Sequence, residues 1–346
     1  MSLSRRVFLA GLGAIGLSGC GRSEPRIVLY CAQDREFALD ILETFRERFG
    51  IAVVPKFDTE KNKSVGLFTE LVAEKDRPRC DVFWNNEIVS TIRLQRQGLL
   101  QPHESKSAVD YPAWAKAKDH TWHAFASRAR VLIVNTDRVK EMPTSLFELA
   151  EPRWKSVAVM ARPQFGTTAT QTACLFEVLG KERAEDYFTR LKANEVQLAP
   201  GNKQVAEWVA RGRTPSGKPV SIGVTDTDDA IGEVKAGKPV RIIFPDRAGD
   251  KGRMGTLFIP NTLCIPKGCP NPEGAKKLVD FLLSAEVEKL LAEGPSAQIP
   301  LNPKVEAKLP SQIEPPAKLT VMRVDWAEAA EHWDDAQTFV TNLFGV

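Results

Sequence analysis

Three acidic side chains, Asp226, Asp228 and Asp229, fall within four residues directly after the apolar run Val220 to Thr225. Such a cluster either caps the short helix that Gly237 ends or lines a cleft at the end of a strand. It is not a calcium loop, because the glycine and the distal glutamate of an EF-hand are missing at their offsets. Gly166, Thr167 and Thr168 open a helical stretch that ends at Gly180. Free backbone N–H groups and hydroxyls at a helix start can converge on an anion, although a plain start capped by Thr167 reads the same way. Asn202 begins another helix, and Arg128 and Arg130 can add guanidinium donors to an oxyanion. Those two arginines alternate along a strand, so one exposed and one ion-paired is the competing expectation. Trp84 offers a flat ring that can stack on a ligand or fill the core.

Other patterns carry no chemistry. Gly11, Gly13 and Gly16 spell a dinucleotide fingerprint, but no strand precedes them. Gly212 through Lys218 imitates a phosphate-binding loop, yet Pro219 replaces the required Ser or Thr and a helix stands where the strand should be. His120 and His123 are read as loop residues with no zinc-spaced partners. There is no serine nucleophile elbow and no Cys-His pair at a recognised spacing, so the chain reads as a binding protein and not an enzyme.

The first twenty residues read as an export signal. Ser4, Arg5, Arg6, Phe8 and Leu9 fit a twin-arginine pattern, and Leu17-Ser18-Gly19-Cys20 resembles a lipobox. Cleavage before Cys20 leaves that cysteine as the lipidated terminus, residues 20–26 as a tether, and a periplasmic or cell-surface chain anchored to a membrane by lipid. The sequence holds 47 basic and 44 acidic side chains, and removing residues 1–19 brings these to 45 and 44. Near neutrality gives no nucleic-acid footprint. The other cysteines, Cys31, Cys80, Cys174, Cys264 and Cys269, read as small buried side chains, with a Cys264–Cys269 bridge permitted by spacing.

The elements that must position these residues alternate. Ile27 to Tyr30 is a strand, followed by a helix with Phe37, Ile41, Leu42, Phe45 and Phe49 on one face and Gly50 at its end. Strands at 51–54, 81–84, 131–135, 157–160 and 220–225 alternate with helices. Asn271 and Ser284 are read as caps, and Asp325 to Phe344 as one closing helix. Repeated strand–helix units imply a mainly parallel sheet covered on both faces, with connecting segments near 128–131 and 257–262 joining two lobes.

Five markers in order, Tyr30-Cys31-Ala32-Gln33-Asp34, Asp81-Val82-Phe83-Trp84, Arg128-Ala129-Arg130-Val131, Pro152-Arg153-Trp154-Lys155 and Ile299-Pro300-Leu301-Asn302-Pro303, give a resemblance over nearly the whole mature chain. The sequence resembles the ferric-ion-binding branch of the type II periplasmic solute-binding proteins. The resemblance implies an α/β fold of two lobes, each a mainly parallel sheet flanked by helices, joined by two crossing strands. Residues 27–128 and 260–346 would form one lobe and 129–259 the other. It further implies a monomer that delivers its ligand to the permease and ATPase of an ABC importer, with no cofactor beyond a metal ion carried with an anion as cargo. In that branch the metal is held by an early His or similar residue, a Glu after the second sheet strand and two adjacent tyrosines. Those positions fall here at Asp34, at Asn86 beside Glu87, and at Asp228 and Asp229. Asp34, Glu87, Asp228 and Asp229 can hold a hard cation, and the same acids suit an ammonium, polyamine or thiamine-like amine. The anion half, Gly166 to Thr168 with Asn202, Arg128 or Arg130, suits a phosphate, carbonate, phosphonate or carboxylate, alone or with a metal. A sensory lipoprotein using the same cleft is the remaining alternative.

Overall fold

A computed structural model describes residues 26–58, 65–248 and 254–345. The export signal and Cys20 lie outside the described residues. The first group of elements is β1 (Arg26–Cys31), α1 (Arg35–Phe49), β2 (Ala52–Phe57), α2 (Val65–Ala73), β3 (Val82–Asn85), α3 (Val89–Arg96) and β4 (Leu100–Gln101). The long β5 (Trp122–Asn135) leads to a second group. It comprises β6 (Ala158–Ala161), α4 (Gly166–Leu179), α5 (Lys181–Ala193), β7 (Gln197–Ala199), α6 (Asn202–Arg211), β8 (Ile222–Asp226), α7 (Thr227–Lys235) and β9 (Val240–Ile243). Then β10 (Phe258–Pro266) returns, followed by α8 (Pro272–Leu282), α9 (Ala285–Glu293), α10 (Trp326–Glu331) and α11 (Trp333–Phe344).

The strands run in the order β2-β1-β3-β10-β5-β8-β6-β7, with β4 on β10 and β9 on β5. β1 is parallel to β2 and β3, and β6 is parallel to β7 and β8. Between these groups lies an antiparallel seam, because β10 opposes β3 and β5, and β5 opposes β8 and β9. Each group is thus parallel, as the sequence implies, and the antiparallel pairings all belong to the two crossing strands β5 and β10. Helical crossovers return each outer strand in the same sense, whereas β5 and β10 pass between the groups in opposite senses. All fourteen residues of β5 are buried. Trp122 to Ala129 pair with β10, and Arg130 to Asn135 pair with β8 and β9, so one strand belongs to both groups.

Local signals act as the sequence suggests at several ends. Asn271 accepts the Gly274 N–H at 3.0 Å with Pro272 opening α8, and Ser284 accepts the Val287 N–H at 3.4 Å. Gly212, at φ 70°, ends α6 in the left-handed conformation that glycine adopts without strain. The closing segment is two helices and not one. Asp325 caps α10 by accepting from Ala327 and Glu328, and the chain turns at His332 so that Trp333 starts a second helix. α10 packs on α3 and α4 while α11 packs on α4 and α5, so this tail touches both groups.

All five described cysteines are free and buried, and Cys264 and Cys269 are not bridged. Burial pushes their thiols upward, Cys269 to about 11 and Cys31 to about 12, which keeps them unreactive. His123 lies on β5, not in a loop with His120, and its Nε2 is 2.8 Å from the His103 carbonyl.

The seam is pinned by one carboxylate. Glu288 is fully buried and accepts the N–H groups of Ala126 at 2.6 Å, Asn302 at 2.9 Å and Leu301 at 3.0 Å. Ala126 sits at φ 35° opposite the register shift between Pro260 and Asn261, so the carboxylate holds β5 where its backbone is strained. Glu288→Gln replaces one acceptor oxygen by a donor amide facing N–H groups. It is expected to lower unfolding free energy by about 2 kcal/mol or more, and an unchanged urea midpoint would contradict this role. His123 gives a pH dependence: burial lowers its pKa to about 4 from 6.5. The unfolded chain binds that proton more readily, so the stabilising contribution is whole above pH 6.5 and falls as pH drops toward 4, by up to about 3 kcal/mol. Urea unfolding between pH 7 and 4.5 should show a smaller acid loss for His123→Gln than for the native chain, and parallel pH curves would refute it.

Candidate functional site

The carboxyl ends of the parallel strands meet helix starts at one cavity, the place where open α/β sheets bind ligands. From the first group come Gln33 and Asp34 after β1 and Asn86 after β3, with Arg128 from β5. Facing them are Ala161 and Arg162 at the end of β6, Phe165 to Thr167 opening α4, Pro200 to Asn202 opening α6, and Asp226, Asp228 and Asp229 where β8 passes into α7. The free interior is about 30 Å³, room for about two waters.

Both arginines of β5 are buried and both are ion-paired, which replaces the expectation of one exposed and one paired. Residues two apart on a strand share a face, and this face is covered on both sides of the seam. Arg130 donates to Asp226 at 2.8 Å, Gln171 at 2.9 Å, Asn202 at 3.0 Å, and the hydroxyls of Thr167 and Thr168 at 3.3 Å. Thr167 in turn donates to Asp226, and Thr168 to Asn202 at 3.1 Å. The side-chain amide of Asn202 donates to Asp226 at 3.1 Å and to Thr167 at 2.8 Å. Asn202 therefore ties α6 to α4 and β8, and the two threonine hydroxyls are engaged within this network.

Arg128 donates to the Asn86 carbonyl at 2.7 Å and to Gln33 and Asn261 at 2.8 Å. Its Nε lies 2.9 Å from Asp228. Other contacts join α6 and α7 to segments outside the second group: Glu36 of α1 pairs with Lys203 at 3.3 Å, and Lys235 donates to the carbonyls of Gly294 and Pro295, which follow α9, at 3.1 and 3.2 Å.

Of the residues singled out from the sequence, Asp34, Asn86, Arg128, Gly166, Thr167, Asn202, Asp226, Asp228 and Asp229 line the cavity. Arg130 and Thr168 stand behind it in the Asp226 network. Glu87 and Trp84 stand elsewhere. The Glu87 carboxylate is fully buried and accepts from Ser90 and Asn85 on its own side and from Thr170 of α4 at 2.7 Å. Its oxygens cap the start of α3, so they are turned away from the cavity. Trp84 is fully buried with its ring 5.4 Å from that of Phe125, packing in the core. The expected metal set of Asp34, Glu87, Asp228 and Asp229 is thus not brought together. A different trio is: oxygens of Asp226, Asp228 and Asp229 lie within 4.8 Å of one another.

Gln33 and Arg162 line the cavity and were not singled out. Gln33 neighbours Asp34 in the first marker. Arg162 had one usable signal, a basic residue at the end of a strand just ahead of the Gly166 to Thr168 turn.

Residues 87–332 match the family described as bacterial extracellular solute-binding protein. The chain is 29% identical over 338 residues to an uncharacterized protein of Haemophilus influenzae, covering 94% of this chain and 91% of that one. It is 26% identical over 329 residues to the major ferric iron-binding protein of Neisseria meningitidis serogroup A, covering 88% and 89%. Among solved structures, iron-bound HitA of Pseudomonas aeruginosa is similar at TM-score 0.80 and 23% identity, covering 92% of this chain and 99% of that one. The periplasmic binding protein AfuA of Actinobacillus pleuropneumoniae, with exogenous fructose-6-phosphate bound, is similar at TM-score 0.80 and 22% identity, covering 94% and 100%. The α/β fold is that of the periplasmic binding proteins, and the chain belongs to the bacterial extracellular solute-binding protein family, a binding protein and not an enzyme.

Proposed function

We propose that this chain is the receptor of an ABC importer, that it traps a small oxyanion-bearing solute in the cavity described above, and that it hands the solute to a permease driven by an ATPase. The observation that carries the reading is the opposition of two walls in one cavity. One wall, from the second group, is the starts of α4 and α6 with their backbone amide donors together with Asp226, Asp228 and Asp229, and the other, from the first group, is Gln33, Asp34 and Asn86. A solute that touches both walls stabilises the closed arrangement alone, which is the signal a permease reads. On this reading residues 27–128 and 260–346 form one lobe and 129–259 the other. β5 and β10 are the hinge, and the tail helices α10 and α11 lie across it. The pattern at residues 1–20 supports twin-arginine export and a lipid anchor at Cys20, with the receptor acting as a monomer.

A metal ion carried with the anion is the second reading, and the trio of close carboxylates favours it. Against a bare-cation cage, Asp226 and Asp228 already balance buried arginines. A metal would compete with a guanidinium for each of them.

Native mass spectrometry with elemental analysis of the purified chain should find a bound small molecule, lost on unfolding, that contains a phosphate, phosphonate or carboxylate group. Stoichiometric iron would establish the second reading. An unliganded chain that binds no oxyanion would sink both. Asp228→Ala together with Asp229→Ala is expected to abolish ligand-induced closure measured by small-angle scattering. Because removing Asp228 leaves Arg128 without its counter-ion, Asp229→Asn is the companion variant, expected to weaken binding about tenfold with the circular dichroism unchanged. Native-like affinity in both would refute the assignment.

A further inference from the structure

We infer that Arg162 is the specificity-determining residue of the cavity, the group that makes it select an oxyanion; the inference rests on the receptor reading above. Three arginines line or back the cavity, and two of them are engaged. Arg130 meets five acceptors and Arg128 meets three acceptors and Asp228. Arg162 lines the cavity from the end of β6, and among the described residues it has no ion pair and no side-chain hydrogen bond. Its Nε is buried and makes no hydrogen bond among the described residues, so a ligand oxygen in the cavity can supply that partner.

Two of the cavity carboxylates do not serve it. Asp226 and Asp228 are held by the other two arginines, so the positive charge of Arg162 is not matched by either. Its backbone is fixed, since its N–H donates to the Ala199 carbonyl at 3.0 Å and Pro163 follows it. The side chain is half-buried and stands beside the start of α4, where amide donors favour negative charge. A guanidinium fork presents two parallel N–H donors to two oxygens of one group, so phosphate, phosphonate or carboxylate fits it and an ammonium is repelled.

The test is calorimetry on the dialysed full-length chain and on Arg162→Gln and Arg162→Lys, with inorganic phosphate, fructose 6-phosphate and putrescine as probes. Arg162→Gln should weaken the phosphate-bearing probe that the native chain binds about ten- to hundredfold. Arg162→Lys, which keeps the charge and loses the fork, should fall between. The thermal midpoint of unliganded Arg162→Gln should equal or exceed that of the native chain, because a buried donor without a partner is removed. If the native chain and Arg162→Gln bind a phosphate probe equally, the role of Arg162 is overturned while the receptor reading stands. If the native chain binds putrescine and neither phosphate probe, the oxyanion class and the role of Arg162 both fall.

Discussion

Arg128 and Arg130 stand two residues apart on β5 with their side chains almost wholly out of water, and the rest of the site is arranged to meet that condition. A guanidinium stays charged inside a protein, so each needs a counter-charge and acceptors for its donors. Arg130 finds them in α4, α6 and β8, while Arg128 finds them after β1, after β3, in β10 and at the start of α7. Removing one partner of such a pair costs about 3–5 kcal/mol, because it leaves a buried charge uncompensated. The two arginines therefore fix where the strand ends and helix starts converge, and by doing so they build the cavity.

The same condition sets the character of the cavity. Asp226 and Asp228 look, as side chains, like the start of a metal cage, but as partners of buried arginines they are already half of neutral pairs. The hydroxyls of Thr167 and Thr168 look like anion donors, yet they close the Arg130 network. What is left facing the interior is the backbone amides of two helix starts, Arg162, and acceptors from the acidic turn and Asp34. The cavity therefore offers donors and acceptors side by side from the second group, with Gln33, Asp34 and Asn86 facing them from the first. The Glu36–Lys203 pair and the Lys235 contacts with Gly294 and Pro295 join the two sides at the rim. These contacts are exposed, screened by salt and individually weak.

Much of this was legible in the chain itself. Alternating apolar strands and amphipathic helices imposed an α/β fold, since strand periodicity and helix periodicity are set by local backbone geometry. Asn271, Ser284, Pro272 and Gly212 marked helix ends because caps act within a few residues of where they stand. The acidic turn at Asp226 to Asp229 and the Gly166 to Thr168 start were visible as chemistry next to the ends of strands. Other features depended on partners far along the chain. The antiparallel seam arises from β5 meeting β10 more than a hundred residues later, a relation that periodicity does not encode. The break at His332 follows from docking the tail on α3, α4 and α5.

Which side chains face the cavity was decided only by tertiary structure. Glu87 and Trp84 sit in the same short stretch as Asn86, but rotation about a few backbone bonds sends Asn86 to the cavity, Glu87 to the start of α3 and Trp84 into the core. Whether an acid is free or already paired is likewise a matter of what approaches it from elsewhere, as Arg128 does to Asp228 and Arg130 to Asp226. The sequence by itself determined the elements, their caps and the kinds of groups available, because those follow from interactions between near neighbours. Only the folded chain decided which charges cancel and which face a ligand, because electrostatics depends on distance in space and not on separation along the chain.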